Sequence, residues 1–531
     1  MFREKRKVSS AFALVLMLSV LVLSFTSCSN TLGGDDISSD KVKLQILTTG
    51  WVNTPTDSND IYKKWIDDKY DVDVSITSTS DFANKALIMF ASNTPPDIVS
   101  FSSTNDFFKL YYQDSLISDW SSYVDQMPNV SSVINNNSET KQIYTKDDKL
   151  VTLWALGDAP TWSLKVRTDW LQNLDLSVPT TPDALLDVAR AFRNNDPDGN
   201  GKKDTYAFTT AGDGNDFNTL GNWVPLMYGR VNVLPYGLYM ENGEAQFDVL
   251  TGNHKKTLDF IRTVIDEDLI DPQWYVQSWD QKLLAKQGKV GFEWMPGTIV
   301  QETETYNGTD GSTIDWWDTI DLPAELDNEN AGYMPVDNYA GKLITVSAKA
   351  ALDSAKMEKI CALLNDVFMT PDGTRPEGYD ALRWGVGIED GQTFQEIEGT
   401  DALYINTQGV GVKTYRESFP GAWDWGSWFS RTSDGIVQGT TPNITDITKK
   451  IVALDKKTAD MKTRPQIGSL LQLDAVTLDS LTRLTNQFEY KYVTGATTDY
   501  DAFVEQWKSS GGNDIIAEAK KQFLALGITD Q

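Results

Sequence analysis

The chain has 531 residues, too many for one compact core, and its 40% apolar share is enough to build two lobes. It carries 75 acidic against 47 basic residues, a formal net charge of -28. That argues against nucleic acid and anionic membrane surfaces as partners, and it disfavours strongly anionic ligands unless a local basic pocket overrides it.

The first residues, MFREKRKVSS, are basic, and AFALVLMLSVLVL after them is apolar but too short to span a bilayer. This layout predicts a secretory signal peptide over residues 1–27. Phe25, Thr26 and Ser27 then precede Cys28 and resemble a lipobox, in which Cys28 takes a diacylglycerol and becomes the mature N-terminus. Residues 28–40 are small, polar and acidic, so they read as a flexible tether. The protein is thus expected outside the cytoplasmic membrane, held there as a lipoprotein.

From Val42 the run VKLQILTT is strand-like and leads into a loop with Trp51 and Asn53. A helix over Asp60 to Tyr70, with Ile61, Trp65 and Ile66 inward, precedes the strand DVDVSIT; a helix over Phe82 to Phe90 precedes a third strand in TPPDIVSF. This order predicts an α/β fold with a mostly parallel sheet whose carboxyl-end loops face a crevice. KLVTLWALGDAPTWSLKVR then gives a strand, an irregular crossing and a second strand, flanked by Trp154 and Trp162.

Thr181 is a suitable N-cap, Pro182 suits the first helical turn, and Leu185, Val188, Ala189 and Phe192 mark one buried face, so a helix ending near Asn194 follows. Directly after it, Asp196, Asp198, Asn200, Gly201 and Asp204 match positions one, three, five, six and nine of a calcium loop, with the Lys202 carbonyl as a further ligand. Position twelve is Ala207 rather than an acid, so the helix-loop-helix hand is incomplete. The expectation is one structural Ca2+; the alternative is a turn held by Asp and Asn side chains bonding to nearby amides.

Catalytic sets are missing their parts. The single histidine, His254, excludes paired-histidine zinc motifs and lies in a helix without a serine nucleophile, and no phosphate loop, nucleophile elbow or paired cysteines occur. Cys361 falls in the apolar pattern of a helix and reads as a buried thiol. No catalytic residue is assigned. A carboxylate pair for glycoside hydrolysis stays open, yet among 75 acidic residues a close pair carries no specificity.

The 17 tryptophans say more. A sugar presents flat C–H faces and rings of hydroxyls, so a sugar crevice needs aromatic platforms with polar groups between them. Trp51, Trp154, Trp162, Trp223, Trp279, Trp294, Trp384 and the GAWDWGSWF cluster with Trp423, Trp425 and Trp428 fall in predicted loops or at strand ends. For each ring ordinary packing competes with ligand contact; at least three are expected in the crevice. Asn53, Arg167, Asp280, Glu293, Arg383 and Asp424 are the polar candidates, Arg167 being equally suited to hold a structural carboxylate.

The runs DWLQNL, VPTTPDAL and AFRNNDPDGNGKKDTYAFT resemble the extracellular solute-binding lipoproteins of bacterial ABC importers, the group that includes alginate-oligosaccharide binders. KLVTLWA before them and GKVGFEWMPG and EKICALLNDVFMTPDG after them fit in order, so the likeness covers about Lys41 to Arg375. In calcium-holding members an acidic residue often follows the last loop Asp; here Thr205 stands there. The resemblance implies a two-lobed periplasmic-binding-protein fold of type II topology, with 41–155 plus 340–375 as lobe one, 156–339 plus 376–531 as lobe two, and hinge strands between. It implies an oligosaccharide ligand taken up by clamshell closure, an ABC permease as partner, a monomer, and no enzymatic activity. Rival readings are a binder of peptide or another small solute, a secreted glycoside hydrolase using two carboxylates, and a surface lipoprotein that binds glycans without transport.

Overall fold

The computed structural model describes residues 41–50, 57–102, 107, 119–157, 159–214, 217, 219–278, 281–296, 316–337, 340–384, 394–396, 403–406, 421–430, 436–439 and 446–530. The expected signal peptide, Cys28 and the tether lie outside these residues. Among the described residues no helix is long and apolar enough to cross a membrane.

The chain starts with β1 (Val42–Thr49), β2 (Val72–Thr79) and β3 (Ile98–Phe101), joined by the helices Ile61–Tyr70 and Phe82–Ala91. β2 and β3 both pair parallel with β1, placing Ile46 opposite Ile76 on one side and Ile98 on the other. The β-α-β-α-β expectation is met. The first helix is capped by the Asp60 carboxylate, which accepts from the Tyr62 and Lys63 amides. Its buried face is Tyr62, Ile66 and Tyr70, whereas Ile61, expected inward, is 43% exposed. Two stripes one residue apart compete on this helix, and the tyrosine-bearing one buries more apolar area.

β4 (Leu153–Leu156) completes the first sheet, and β5 (Trp162–Arg167) opens the second, between β6 (Phe292–Pro296) and β7 (Trp317–Thr319), both antiparallel to it. β8 (Met334–Val336) then leads back to β9 (Ala340–Val346), which enters the first sheet between β3 and β4, antiparallel to both. The first sheet therefore has the order β2-β1-β3-β9-β4, and two connections lead out of it and back into it, one from β4 to β5 of the second sheet and one from β8 to β9. β10 (Thr463–Pro465) pairs parallel with β8, with Arg464 opposite Pro335.

The strands β4 and β9 run close together at Gly341. A Cβ there would lie 2.3 Å from the Leu156 carbonyl oxygen, so only glycine lets the two strands touch. Gly341→Ala is expected to cost about 1–3 kcal/mol, the usual price of overpacking a rigid contact. Urea titration of the two proteins checks this; equal midpoints would mean that the backbone yields.

One boundary differs from expectation. Residues 376–531 were expected in lobe two, but the Glu377–Trp384 and Ala422–Ser427 helices pack together and onto the Ser354–Val367 helix and β2 of the first lobe. The physical cause is the buried indole of Trp425, whose N–H donates to Asp60 at 2.7 Å, with Tyr379 edge-on to Phe429 beside it. Farther along, the Asp446–Ala459 helix packs on β7, and Ala475–Val493 packs on Asn253–Asp266.

His254 is fully buried between the Tyr500 hydroxyl at 3.0 Å and Glu489 at 2.8 Å, a core histidine with both ring nitrogens partnered. Burial pushes the Cys361 thiol up to about 11, which makes it inert.

Candidate functional site

A cleft of about 500 Å³ opens where the connections meet the second lobe, within the range of about 300–1,000 Å³ usual for ligand pockets. Its floor is the connections themselves: Ala159 to Trp162 from the first, Met334 to Asp337 from the second. Its wall comes from the second lobe, with Asn222, Val231, Val233, Tyr236, Trp294 and Gln466.

Strand alternation explains the two indoles. Trp162 and Leu164 lie on one face of β5, and Trp294 stands opposite Leu164 on β6, so both tryptophans share that face. Deeper along it, Val166 and Phe292 are core. Toward the cleft the packing runs out, leaving Trp162 37% exposed and Trp294 presenting a small edge. Apolar faces here alternate with the amides of Asn222 and Gln466, the Thr161 hydroxyl and the Asp337 carboxylate, which is the mixture a saccharide's C–H faces and hydroxyls require. Among the described lining residues Asp337 is the one carboxylate.

Other expected site residues are structural. Trp154 is 2% exposed and packs by Tyr144, its ring centroid 5.7 Å away; Trp223 is 2% exposed between Phe208 and Phe260. Both are core rings rather than crevice platforms, because each strand or helix end that carries them is covered by a neighbouring helix. Arg167 grips Asp169 through two nitrogens, donates to the Gly288 carbonyl, and is stacked between Trp170 and Trp316, contacts that suit the structural role. Glu293 is buried in an ion pair with Lys282 at 3.0 Å, and Arg383 is buried against Gly426. Trp425 and Trp428 are sealed in lobe one, as is Asp424, which lies against Gly50 at the carboxyl end of β1. Trp51, Asn53, Trp279 and Asp280 lie outside the described residues, as do the side chains of Trp384 and Trp423.

Sequence reasoning missed Asn222, Tyr236, Gln466 and the aliphatic wall of Val231 and Val233. The only local signal is the run RVNVLPY, which has apolar residues and a proline but neither helical nor strand period.

The Pro182–Asn194 helix forms as expected, with the Thr181 hydroxyl accepting from the Ala184 amide and Leu185, Val188, Ala189 and Phe192 buried. In the loop after it, Gly201 adopts the left-handed φ of +76° that the turn needs. The Asp196 carboxylate accepts from the Asn200 and Gly201 amides at 3.1 and 2.9 Å, and the Asn200 side-chain amide bridges Asp198 and Asp204. Lys289 pairs with Asp204 at 2.8 Å and, with Asn200, holds it below the usual carboxylate range. Burial, and after it the shared hydrogen bond and charge of Asp196 and the charge of Asp204, raise Asp198. The Asn200 backbone amide opposes that rise. The Thr205 hydroxyl donates to the Phe192 carbonyl, so it is not a ligand, and Ala207 is core. Among the described residues no three acidic, histidine or cysteine side chains converge as a metal site. These hydrogen bonds and the Lys289 ion pair shape the turn. Its donors are nonetheless all oxygens, the set calcium prefers.

No family model matches. Lipoprotein LipO of Bacillus subtilis is 23% identical over 96% of the chain and 97% of its own length. The fructooligosaccharide ABC transporter substrate-binding protein FusA of Streptococcus pneumoniae is 25% identical over 57% of the chain and 61% of its own length. The polygalacturonan/rhamnogalacturonan-binding protein YtcQ of B. subtilis is 22% identical over 96% and 98%. Among solved structures, a solute-binding protein of Bifidobacterium longum infantis, described as binding HMO, superposes with a TM-score of 0.65 at 16% identity, over 92% of this chain and all of that one. An EF-hand mutant of FusA from S. pneumoniae, in complex with fructo-nystose, gives 0.56 at 17%, over 91% and 99%. At these identities the superpositions carry the fold alone, that of two-lobed solute-binding proteins.

Proposed function

We propose that this chain, an ABC-importer solute-binding protein by its fold and relatives, captures an oligosaccharide outside the cell and hands it unaltered to a permease. The carrying observation is the cleft at the connections, where Trp162 and Trp294 from one sheet face meet amides and one carboxylate. Ligand contact with the connections selects one lobe angle, so binding and closure are one equilibrium. Cys28 lipidation tethers a monomer to the membrane, and no bond in the ligand is broken. The relatives' names cover a neutral fructan and an acidic pectin, so the choice between such ligands rests on this chain's own residues. Calorimetric titration against panels of oligosaccharides and peptides tests the reading. Saccharide binding without shorter products on prolonged incubation supports it; binding of peptides alone, or turnover to shorter sugars, overturns it.

The loop from Asp196 to Asp204 holds one Ca2+, through Asp196, Asp198, Asn200, Asp204 and the Lys202 carbonyl. The sequence pattern, the oxygen side chains gathered around Asn200 and the relative known by an EF-hand mutant support this. At calcium a hundredfold above its Kd the gain is about 2.7 kcal/mol, so a chelator is expected to lower the melting temperature and Asp198→Ala to remove that sensitivity. An identical melting curve with and without chelator makes the loop metal-free.

A further inference from the structure

Next to the cleft, and sharing Val231, Tyr236, Pro335 and Gln466 with it, lies a smaller recess that contains two arginines. Arg464 comes from β10 and stacks on the Tyr333 ring at 4.0 Å; Arg230 stacks on Tyr239 at 4.2 Å. Both guanidiniums point at one amide oxygen, Asn330 Oδ1, at 2.7 Å from Arg464 and 3.3 Å from Arg230. The other hydrogen-bond partner of Arg464 is the Glu329 backbone carbonyl, so among the described residues no carboxylate neutralises it. Asp248 and Glu241 lie close enough for their charge to favour the Arg230 cation, while Asp248 also accepts from the Arg230 backbone amide and Glu241 from the Asn330 amide. Burial first, then the charge of Arg464, pull Arg230 down to about 10. In a chain of net charge -28, two neighbouring cations converging on a neutral acceptor beside a ligand cleft need a reason.

We propose that Arg230 and Arg464 form an anionic subsite of the cleft, which takes the carboxylate of a uronic acid residue in the bound oligosaccharide. The planar fork of a guanidinium matches the two in-plane oxygens of a carboxylate, and a carboxylate there relieves the repulsion between the two cations. This is the local basic pocket that overrides the acidic surface around it. The assignment rests on the oligosaccharide reading above.

The test is calorimetric titration of the purified protein with oligogalacturonate, with the same oligosaccharide after reduction of its carboxyls to alcohols, with a sulfated galactan oligosaccharide, and with a neutral fructooligosaccharide. Oligogalacturonate is expected to bind at least about tenfold tighter than its reduced form, as a charge-assisted bidentate contact implies, and to lose affinity as salt rises. Arg464→Gln is expected to erase that difference. Arg464→Lys, which keeps the charge but not the fork, is expected to lose most of it, and it serves in place of Arg464→Gln should the latter fail to fold. Equal affinity for acidic and reduced forms, or discrimination that survives both substitutions, overturns the subsite. Tighter binding of the sulfated sugar overturns the carboxylate assignment. Binding of the neutral sugar alone removes the subsite and leaves the oligosaccharide reading intact, whereas binding of no saccharide removes both.

Discussion

Trp425→Ala is expected to cost the protein about 3–5 kcal/mol, the range for emptying a buried aromatic site. The ring is 1% exposed, and its N–H donates to Asp60 at 2.7 Å. Asp60 also caps the first helix through the Tyr62 and Lys63 amides, so the substitution opens a cavity and disturbs a cap at once. The segment 421–430 is held to lobe one by few other described elements, and the Ser100 hydroxyl bonding to the Trp428 carbonyl is one of them. Trp425→Phe, which keeps most of the volume and loses the hydrogen bond, should fall in between. Urea unfolding gives the values. A cost below about 1 kcal/mol would show that the ring is not a structural anchor.

Trp162→Ala is expected to do the opposite. The ring projects from the end of β5 with 37% of its surface exposed, so its removal leaves little cavity and stability should change by less than about 1 kcal/mol. It is the most open aromatic of the cleft, and loss of such a platform is expected to weaken oligosaccharide binding by about 2 kcal/mol, roughly thirtyfold in Kd. Calorimetry and thermal melting of the same preparation separate the two quantities. Unchanged affinity would move the ligand away from this cleft.

The contrast between these two tryptophans shows where sequence reading stops. The Pro182–Asn194 helix, the glycine of the loop after it, and the parallel strands β1 to β3 were legible because caps, periods and turn residues are local. The return of the chain in β9 was legible through family resemblance. Whether an indole near a strand end is covered is not local: Trp154 and Trp162 sit eight residues apart around one connection, yet one is roofed by neighbours and the other is not. Trp425 was expected in a loop or at a strand end, but the acceptor that its buried indole meets, Asp60, is 365 residues away. The arginine recess was hidden for the same reason. Arg230 and Arg464 meet only because β10 docks on β8, and nothing in either neighbourhood announces the other.

The contact between β4 and β9 at Leu156 and Gly341 ties together the ends of the two connections. Since the strands that join the lobes also form the bottom of the cleft, any swing of one lobe reshapes the surface on which the guest rests. Substitutions in 159–161 or 334–337 should therefore shift affinity and the resting angle together, and no change confined to these residues can tune one while sparing the other.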